Sequence, residues 1–242
     1  MSIAQVEFYS PAQNQHVTYS IYLPDVGEGP YPVLLQLHGL SDSHRAWISN
    51  SNIVRHAAGY PMAIVFPDGG TGCYVNWKSP KYIGKRSYED LIITDITNHL
   101  RANFNVNDGP WAIGGLSMGG GGSMRLGLKY PDRFASIWSH SSKFDWDDVE
   151  GSVDFEDEGC SAYARRLAVT NGPHPVITFD CGADDFLIDE NRAFHALMTE
   201  LDIEHTYNEH PGEHTWDYWD EHVVAALAQH ARVLGIERIV PE

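Results

Sequence analysis

The sequence has few basic residues and no long apolar run. Sixteen Lys and Arg stand against 33 Asp and Glu among 242 residues, a formal net charge of −17. Such an excess of negative charge repels nucleic-acid backbones and anionic membrane surfaces, so neither is expected as a partner. No stretch approaches eighteen uninterrupted apolar residues, and the first residues carry neither a basic leader nor an apolar signal segment. These absences predict a cytoplasmic protein.

Cysteines are also scarce. The three present, Cys73, Cys160 and Cys181, are an odd number at wide spacing, which suits neither a disulfide framework nor a cysteine-based zinc site. We expect free thiols. What the chain does have is apolar content, with 43% hydrophobic and 12% aromatic residues. At this length such a composition predicts a single domain over residues 1–242.

The apolar runs predict an α/β fold. Alternation in "AQVEFYS" and "HVTYSIYLP" indicates an antiparallel pair of strands with a turn near Pro11 to Gln15. After it, short apolar runs alternate with helical segments, which is typical of a mostly parallel sheet covered by helices on both faces. The runs are "PVLLQLHG", "MAIVFPDGG", "PWAIGG", "FASIWSHS" and "HPVITFDCG".

Two segments are predicted as long helices, and one run is strongly acidic. "SYEDLIITDITNHLRANFNV" has helical spacing with Ser87 as its N-cap, and "WDEHVVAALAQHARVLG" ends at Gly235. The run from Asp145 to Glu158 lacks the ligand spacing of a calcium loop, so a solvated acidic loop is expected. The room between "FASIW" and "PVITF" allows only a minimal cap over the sheet.

The glycine-rich stretch "IGGLSMGGGGSM" contains Ser117 within a G-x-S-x-G pattern. A predicted strand precedes it and a predicted helix follows, the order in which such a serine projects from a sharp turn as a nucleophile. A phosphate-binding loop would need a lysine that the stretch lacks, and a dinucleotide fingerprint would lie earlier in its fold. The pattern therefore favours a catalytic serine.

A serine nucleophile needs a histidine to take its proton and a carboxylate to orient that histidine. Asp184 and Asp185 both follow the strand-like "PVITFD", and the residues alone leave both open. His214 stands before the last helix, with His210 as its nearest competitor. The resulting chain order of Ser, Asp and His is that of α/β-hydrolases.

Acyl transfer also needs donors for the oxyanion. Such donors are backbone N–H groups, one after the nucleophile and one in the loop after the third strand. The loop is "LLQLHGLSDSHRAW", so the amides of Leu40 and Met118 are predicted to form the oxyanion hole. His38 is predicted to be a structural anchor.

With these pieces in place, the chain resembles the esterase D family of α/β-hydrolases, which includes small-ester esterases, S-formylglutathione hydrolases, feruloyl esterases and mycolyltransferases. The resemblance rests on "LHGLSDSHRAW", "VFPDGG", "SYEDLIITDITNHLRANFNV", "GLSMGG", "CGADDFL" and "PGEHTWDYW". It implies Ser117 as nucleophile, His214 as base and Asp185 rather than Asp184 as acid. It also implies oxyanion amides at Leu40 and Met118, no cofactor and no metal.

The sequence departs from the family pattern at two places. Gly121 and Gly122 replace larger residues, and Ser139-His140-Ser141-Ser142 stands where the family tends to have Ser-x-Ser-Gly. Both departures are expected near the acyl pocket. Trp77 and Trp216 are predicted to bind substrate. Aromatic residues that could wall the site are Tyr74, Trp77, Trp146, Trp216 and Trp219.

These features predict a serine carboxylesterase that acts on short-chain acyl esters, with a small-molecule ester as its partner. The alternatives are an S-formylglutathione (thioester) hydrolase and a feruloyl-type esterase. A more distant alternative is an inactive binding module with the hydrolase fold, although no member of the catalytic triad is missing. The sequence leaves a homo-oligomer open.

Overall fold

The computed structural model describes residues 2–78, 86–146 and 152–239. Its strands are β1 Ser2–Ser10, β2 Gln15–Leu23, β3 Val33–Leu37, β4 Ala63–Pro67, β5 Trp111–Leu116, β6 Phe134–His140, β7 Val176–Gly182 and β8 Thr206–His210. They form one sheet in the order β1-β2-β4-β3-β5-β6-β7-β8. The pairs β1–β2 and β2–β4 are antiparallel, and the other neighbours are parallel. The predicted sheet is confirmed, including its antiparallel start.

Helices cover both faces of this sheet. They are α1 Ala46–Asn50, α2 Ile53–His56, α3 Tyr88–Asp90, a π-helical segment Leu91–Ile96, α4 Thr97–Asn103, α5 Met118–Lys129, α6 Phe155–Glu158, α7 Cys160–Ala168, α8 Ile188–Glu200 and α9 Trp216–Val233. Among these helices of the described ranges, none combines the length and the apolar character needed to cross a membrane.

Neighbouring residues of the central strands point into two separate cores. All five residues of β3 are buried. Leu34 packs in one apolar cluster with Leu227 of α9, whereas Leu35 packs in the other with Leu126 of α5. Consecutive side chains of a strand face opposite sides of a sheet, so an uninterrupted apolar run requires cover on both sides. This pattern explains why short runs without alternation form the middle of the sheet.

The helix predicted from Ser87 onward is present, but another residue supplies the capping hydrogen bond. Ser87 occupies the N-cap position, and its side chain makes no capping hydrogen bond. Instead, Asn76 Oδ1 accepts a hydrogen bond from the N–H of Asp90 at 3.1 Å. An isolated antiparallel bridge between Asn76 and Ser87 brings this amide to the start of the helix. The capping group therefore comes from a residue that is distant in sequence.

The acidic run Asp145–Glu158 includes residues 147–151, which lie outside the described residues. Its last four residues form α6, whose N-cap, Asp154, accepts from the N–H of Glu156 at 3.0 Å. Glu158 lies 3.2 Å from Arg125 Nη2 and 3.1 Å from Lys129 Nζ of α5. The expectation of a loop is wrong for residues 155–158, which are helical. Glu156 and Asp157 are exposed as expected, whereas two cations of α5 hold Glu158 against that helix.

Candidate active site

Three polar side chains meet at the edge of the sheet where the parallel strands end. Ser117 follows β5, Asp185 follows β7, and His214 lies between β8 and α9. His214 Nε2 is 3.0 Å from Ser117 Oγ, and His214 Nδ1 is 2.8 Å from Asp185 Oδ2. Since a carboxylate only accepts, Nδ1 carries the proton and Nε2 can accept the serine proton. The structure thus places the three predicted residues in one hydrogen-bonded chain.

Ser117 lies in a sharp turn between β5 and α5. Its φ of +52° and ψ of −117° form a backbone conformation that L-residues rarely adopt. The N–H of Ser117 donates to the carbonyl of His140 at 2.9 Å and holds the turn against β6. A side chain at Gly115 would meet the backbone of Gly119, and one at Gly119 would lie 2.6 Å from the carbonyl oxygen of Leu37. Glycine is needed at both positions because backbone packs on backbone here.

Asp185 contacts His214, and its exposed neighbour Asp184 does not. The second carboxylate oxygen of Asp185 accepts from the N–H of Leu187 at 2.8 Å, and the residue is only 2% exposed. Burial by itself raises the pKa of Asp185, but the hydrogen bonds from His214 and Leu187 outweigh it and hold the pKa below its usual value. Asp185 is therefore ionised at neutral pH.

Two aromatic rings contact His214. The ring of Trp219 lies edge-on to the imidazole with centroids 4.9 Å apart, and that of Phe186 lies tilted at 4.6 Å. Trp219 is buried, whereas Phe186 is 77% exposed. The competing histidine, His210, stacks instead on His222 at 4.2 Å. Of the two candidates, the structure brings His214 to Ser117.

The residues predicted to supply the oxyanion amides belong to two chain segments next to Ser117. Met118 is the first residue of α5, and the first N–H groups of a helix have no partner within it. Leu40 follows Gly39, where an added Cβ would stand 3.7 Å from the Cβ of Ser117. The loop of Gly39 and the start of α5 are therefore both adjacent to Ser117, as the predicted oxyanion hole requires.

A buried tyrosine holds the loop that carries Leu40. Tyr74 accepts a hydrogen bond from the N–H of His38 and donates one to the His38 carbonyl, both at 3.0 Å. His38 Nε2 accepts from the N–H of Gly69 at 2.9 Å, so Nδ1 carries the ring proton and donates to the Gly39 carbonyl at 2.7 Å. Tyr74 is fully buried and so forms no wall of an open site. His38 serves as an anchor, as the sequence predicts.

Gly121 and Gly122 make room for buried neighbours. A side chain at Gly121 would collide with the carbonyl of Lys143, and a Cβ at Gly122 would lie 2.5 Å from the ring of Tyr74. The carbonyl of Gly121 also accepts from the thiol of Cys160 at 3.3 Å. This departure from the family pattern therefore serves the close packing of α5.

The two tryptophans predicted to bind substrate lie in different surroundings. Trp216 packs edge-on against Trp219 with centroids 5.3 Å apart, and Trp219 in turn contacts His214. Trp77 packs at the margin of the core that faces α5, with the guanidinium of Arg86 4.6 Å from its ring centroid. The structure therefore connects Trp216 to the site through a neighbouring ring, whereas the contacts of Trp77 are with Arg86 and that core.

Sequence reasoning missed a buried histidine and aspartate beneath the site. His140 Nδ1 lies 2.8 Å from Asp180 Oδ2, and Asp180 also accepts from Trp138 Nε1 at 2.6 Å and from the hydroxyl of Tyr218 at 2.9 Å. Burial raises the pKa of Asp180, but the electrostatic interaction with His140 and these hydrogen bonds outweigh it and lower the pKa. The signal in the sequence is a histidine in one largely apolar strand and an aspartate in the next, β6 and β7. The contact with Asp180 fixes the position of His140, and the carbonyl of His140 accepts the hydrogen bond that holds the turn at Ser117.

In the described part of the chain, no three His, Cys, Asp or Glu side chains lie close enough together to hold a metal ion. All three cysteines are buried, unpaired thiols, as the sequence predicts.

The chain matches known esterases over most of its length. The family model described as "Putative esterase" matches residues 10–230. An acetyl esterase of Caldicellulosiruptor saccharolyticus is 27% identical over 96% of this chain and 99% of its own. An S-formylglutathione hydrolase of Paracoccus denitrificans is 25% identical over 93% of this chain and 91% of its own. These matches confirm the resemblance inferred from the motifs.

A solved structure shows the same fold. The fluorophosphonate-binding serine hydrolase F (FphF) of Staphylococcus aureus, with substrate bound, superposes with a TM-score of 0.85 at 22% identity. The superposition covers 95% of this chain and 98% of that one. The predicted α/β-hydrolase fold is confirmed, and with the family match the conclusion is that the chain belongs to the esterase family and is a carboxylic ester hydrolase.

Proposed function

We propose that the protein is a serine carboxylesterase that hydrolyses short-chain acyl esters through an acyl-enzyme on Ser117. The observation that carries this proposal is the hydrogen-bonded chain from Asp185 through His214 to Ser117. An unassisted serine hydroxyl is a poor nucleophile at neutral pH, and this arrangement supplies both the base and the group that orients it.

Each residue has a defined role in the proposed reaction. His214 Nε2 takes the proton of Ser117 Oγ as this oxygen attacks the ester carbonyl, and the ionised Asp185 stabilises the imidazolium that forms. The amides of Leu40 and Met118 donate to the developing oxyanion, where loss of one donor typically costs about 3 to 4 kcal/mol. His214 then protonates the departing alcohol, and water resolves the acyl-enzyme by the same steps.

Acetyl esters are the first substrates to test. Leu40 is 48% exposed and Phe186 is 77% exposed, so the described residues at the rim leave the site open to water. The Caldicellulosiruptor relative, which aligns over 96% of this chain, is named an acetyl esterase. S-formylglutathione is the second candidate because the Paracoccus relative carries that activity in its name.

The test is turnover of p-nitrophenyl acetate and butyrate by the parent and by Ser117→Ala. The variant should lose on the order of 10⁴-fold or more in kcat and should not react with a fluorophosphonate probe. Ser123→Ala is the matched control because its hydroxyl only donates to the carbonyl of Gly120 within α5, at 2.8 Å. Equal turnover by Ser117→Ala and the parent would show that Ser117 is not the nucleophile.

The net charge of −17 supports the absence of a nucleic-acid partner. A cytoplasmic location, a homo-oligomer and a single domain over the whole chain stay predictions.

A further inference from the structure

Phe186 is an exposed aromatic residue that follows the buried Asp185 directly in the chain. Its side chain is 77% exposed, whereas Asp185 is 2% exposed. The Phe186 ring lies 4.6 Å from the imidazole of His214, centroid to centroid, at an interplanar angle of 50°. One side of the ring therefore contacts the proposed base, and most of the remaining surface faces solvent.

The chemistry of His214 shows which part of an ester this ring would meet. In acylation the bond from Ser117 Oγ to the acyl carbon forms, and the bond from that carbon to the alcohol oxygen breaks. The proton taken from Ser117 by His214 Nε2 passes to this alcohol oxygen, so a neutral alcohol leaves. The alcohol must therefore depart from a position next to the imidazole.

The oxyanion lies on a different side of the same carbon. Its proposed donors are the amides of Leu40 and Met118, which belong to the loop after β3 and to the start of α5. The alcohol side faces His214, and Phe186 is the exposed ring in contact with that histidine. A flat group attached to the alcohol oxygen can stack on this ring.

Neighbouring charges narrow the class of alcohol further. Asp184 lies two residues before Phe186 and Glu213 directly before His214, and both are exposed. A leaving group with carboxylates of its own would approach these like charges, which disfavours it. The surroundings of the ring therefore suit a neutral leaving group.

We propose that Phe186 forms a leaving-group subsite that selects esters of neutral alcohols with a flat aromatic ring. This inference rests on the proposed roles of Ser117 and His214. Stacking on Phe186 lowers the free energy of the acylation transition state for such esters. It has no effect on hydrolysis of the acyl-enzyme, because the alcohol has left by then.

The experiment compares benzyl acetate with cyclohexylmethyl acetate and methyl acetate. The first two have leaving groups of similar size, but only the benzyl group is flat and aromatic. Phe186→Ala should lower kcat/KM for benzyl acetate by about three- to tenfold, the range expected for one aromatic pair, and change methyl acetate little. Phe186→Tyr should keep the benzyl preference because it keeps the ring. The control is Tyr9→Ala, because Tyr9 is another exposed aromatic residue that contacts a histidine. This variant should leave kcat/KM for all three esters unchanged.

A second measurement uses the subsite in reverse. Benzyl alcohol added during hydrolysis should compete with water for the acetyl-enzyme and give benzyl acetate, and Phe186→Ala should lower this partition about three- to tenfold. An equal loss for methyl and benzyl acetates, with unchanged partition, would overturn the proposal and leave Phe186 as a support for His214. Failure of the proposed function would appear differently, as full activity in Ser117→Ala.

Discussion

The imidazole nitrogen Nδ1 of His214 lies 2.8 Å from Oδ2 of Asp185, while the adjacent carboxylate of Asp184 is exposed to solvent. Asp185 also accepts the N–H of Leu187, which fixes its orientation toward the histidine. Both residues lie in the turn that follows β7. Adjacent side chains of this turn point in different directions, so Asp185 faces the histidine and Asp184 faces solvent. This geometry distinguishes two residues that look equivalent in the sequence.

Replacing each carboxylate by its amide separates the two. Asp185→Asn should lower kcat by up to ~10⁴-fold, since an amide cannot hold the proper tautomer of His214 or stabilise its protonated form. Asp184→Asn should leave kcat within a few-fold of the parent. The measurement is kcat for p-nitrophenyl acetate with both variants. A large loss in Asp184→Asn with an active Asp185→Asn would reverse the assignment.

Tyr74 connects the loop of Leu40 to the core. Its hydroxyl both accepts from and donates to the backbone of His38, and burial raises the pKa of Tyr74 well above its usual value, so the hydroxyl stays protonated. Tyr74→Phe would leave two buried backbone groups without this partner, at a cost of about 1 to 3 kcal/mol in stability. It should also displace the loop that carries Leu40, whose amide is a predicted oxyanion donor.

The effect on catalysis should appear in kcat rather than in KM. A displaced oxyanion donor weakens the transition state and leaves the uncharged ester largely unaffected, so kcat should fall about 10- to 100-fold with KM nearly constant. Tyr31→Phe is a suitable control, because its hydroxyl also donates to a backbone carbonyl, that of Gly27, at an exposed position. A Tyr74→Phe variant that is less stable but has the parent kcat would show that Tyr74 has no part in positioning the loop.

The sequence was informative where chemistry depends on local spacing. The order of strand, G-x-S-x-G and helix predicts Ser117 as the nucleophile, and His214 before the last helix is predicted from the same chain order; the structure places the two 3.0 Å apart. The alternating and continuous apolar runs likewise predict the antiparallel and parallel strands, because burial on one or both faces of a sheet leaves different periods in the sequence.

Features that depend on contacts between distant segments could not be predicted. Asn76 replaces Ser87 as the capping group because a bridge brings the two residues together. Tyr74 and Gly122 look unrelated in sequence, although the absent side chain of one makes room for the ring of the other. The contact of Phe186 with His214 depends on the path of the chain after β7, which no periodicity describes.

A buried ionic network joins α5 to α3, and it too depends on distant contacts. Glu89 lies 2.5 Å from Arg125 Nη1 and 2.9 Å from Lys129 Nζ, and it accepts a hydrogen bond from Tyr130 at 2.5 Å. Its side chain is 5% exposed. Burial alone raises the pKa of Glu89, but the charge of Arg125 and the hydrogen bonds from Tyr130, Lys129 and Arg125 outweigh it and lower the pKa. Since α5 begins directly after Ser117, this network holds the helix that follows the proposed nucleophile.

Glu89→Gln should therefore destabilise the protein in a pH-dependent way. Removing one partner of a buried ion pair costs about 3 to 5 kcal/mol, because Arg125 would keep only the partly exposed Glu158 as a compensating carboxylate. A carboxyl whose pKa is lowered by folding stabilises the fold above its unfolded pKa of about 4.3, and this stabilisation is lost as pH falls through the folded value. Urea unfolding from pH 7 downward should show a gap between parent and variant that is constant at neutral pH and narrows below about pH 4.3. The control is Glu7→Gln, at an exposed carboxylate paired with His16, which should change the free energy of unfolding very little. An equally small change for Glu89→Gln at pH 7 would contradict the stabilising role of the network.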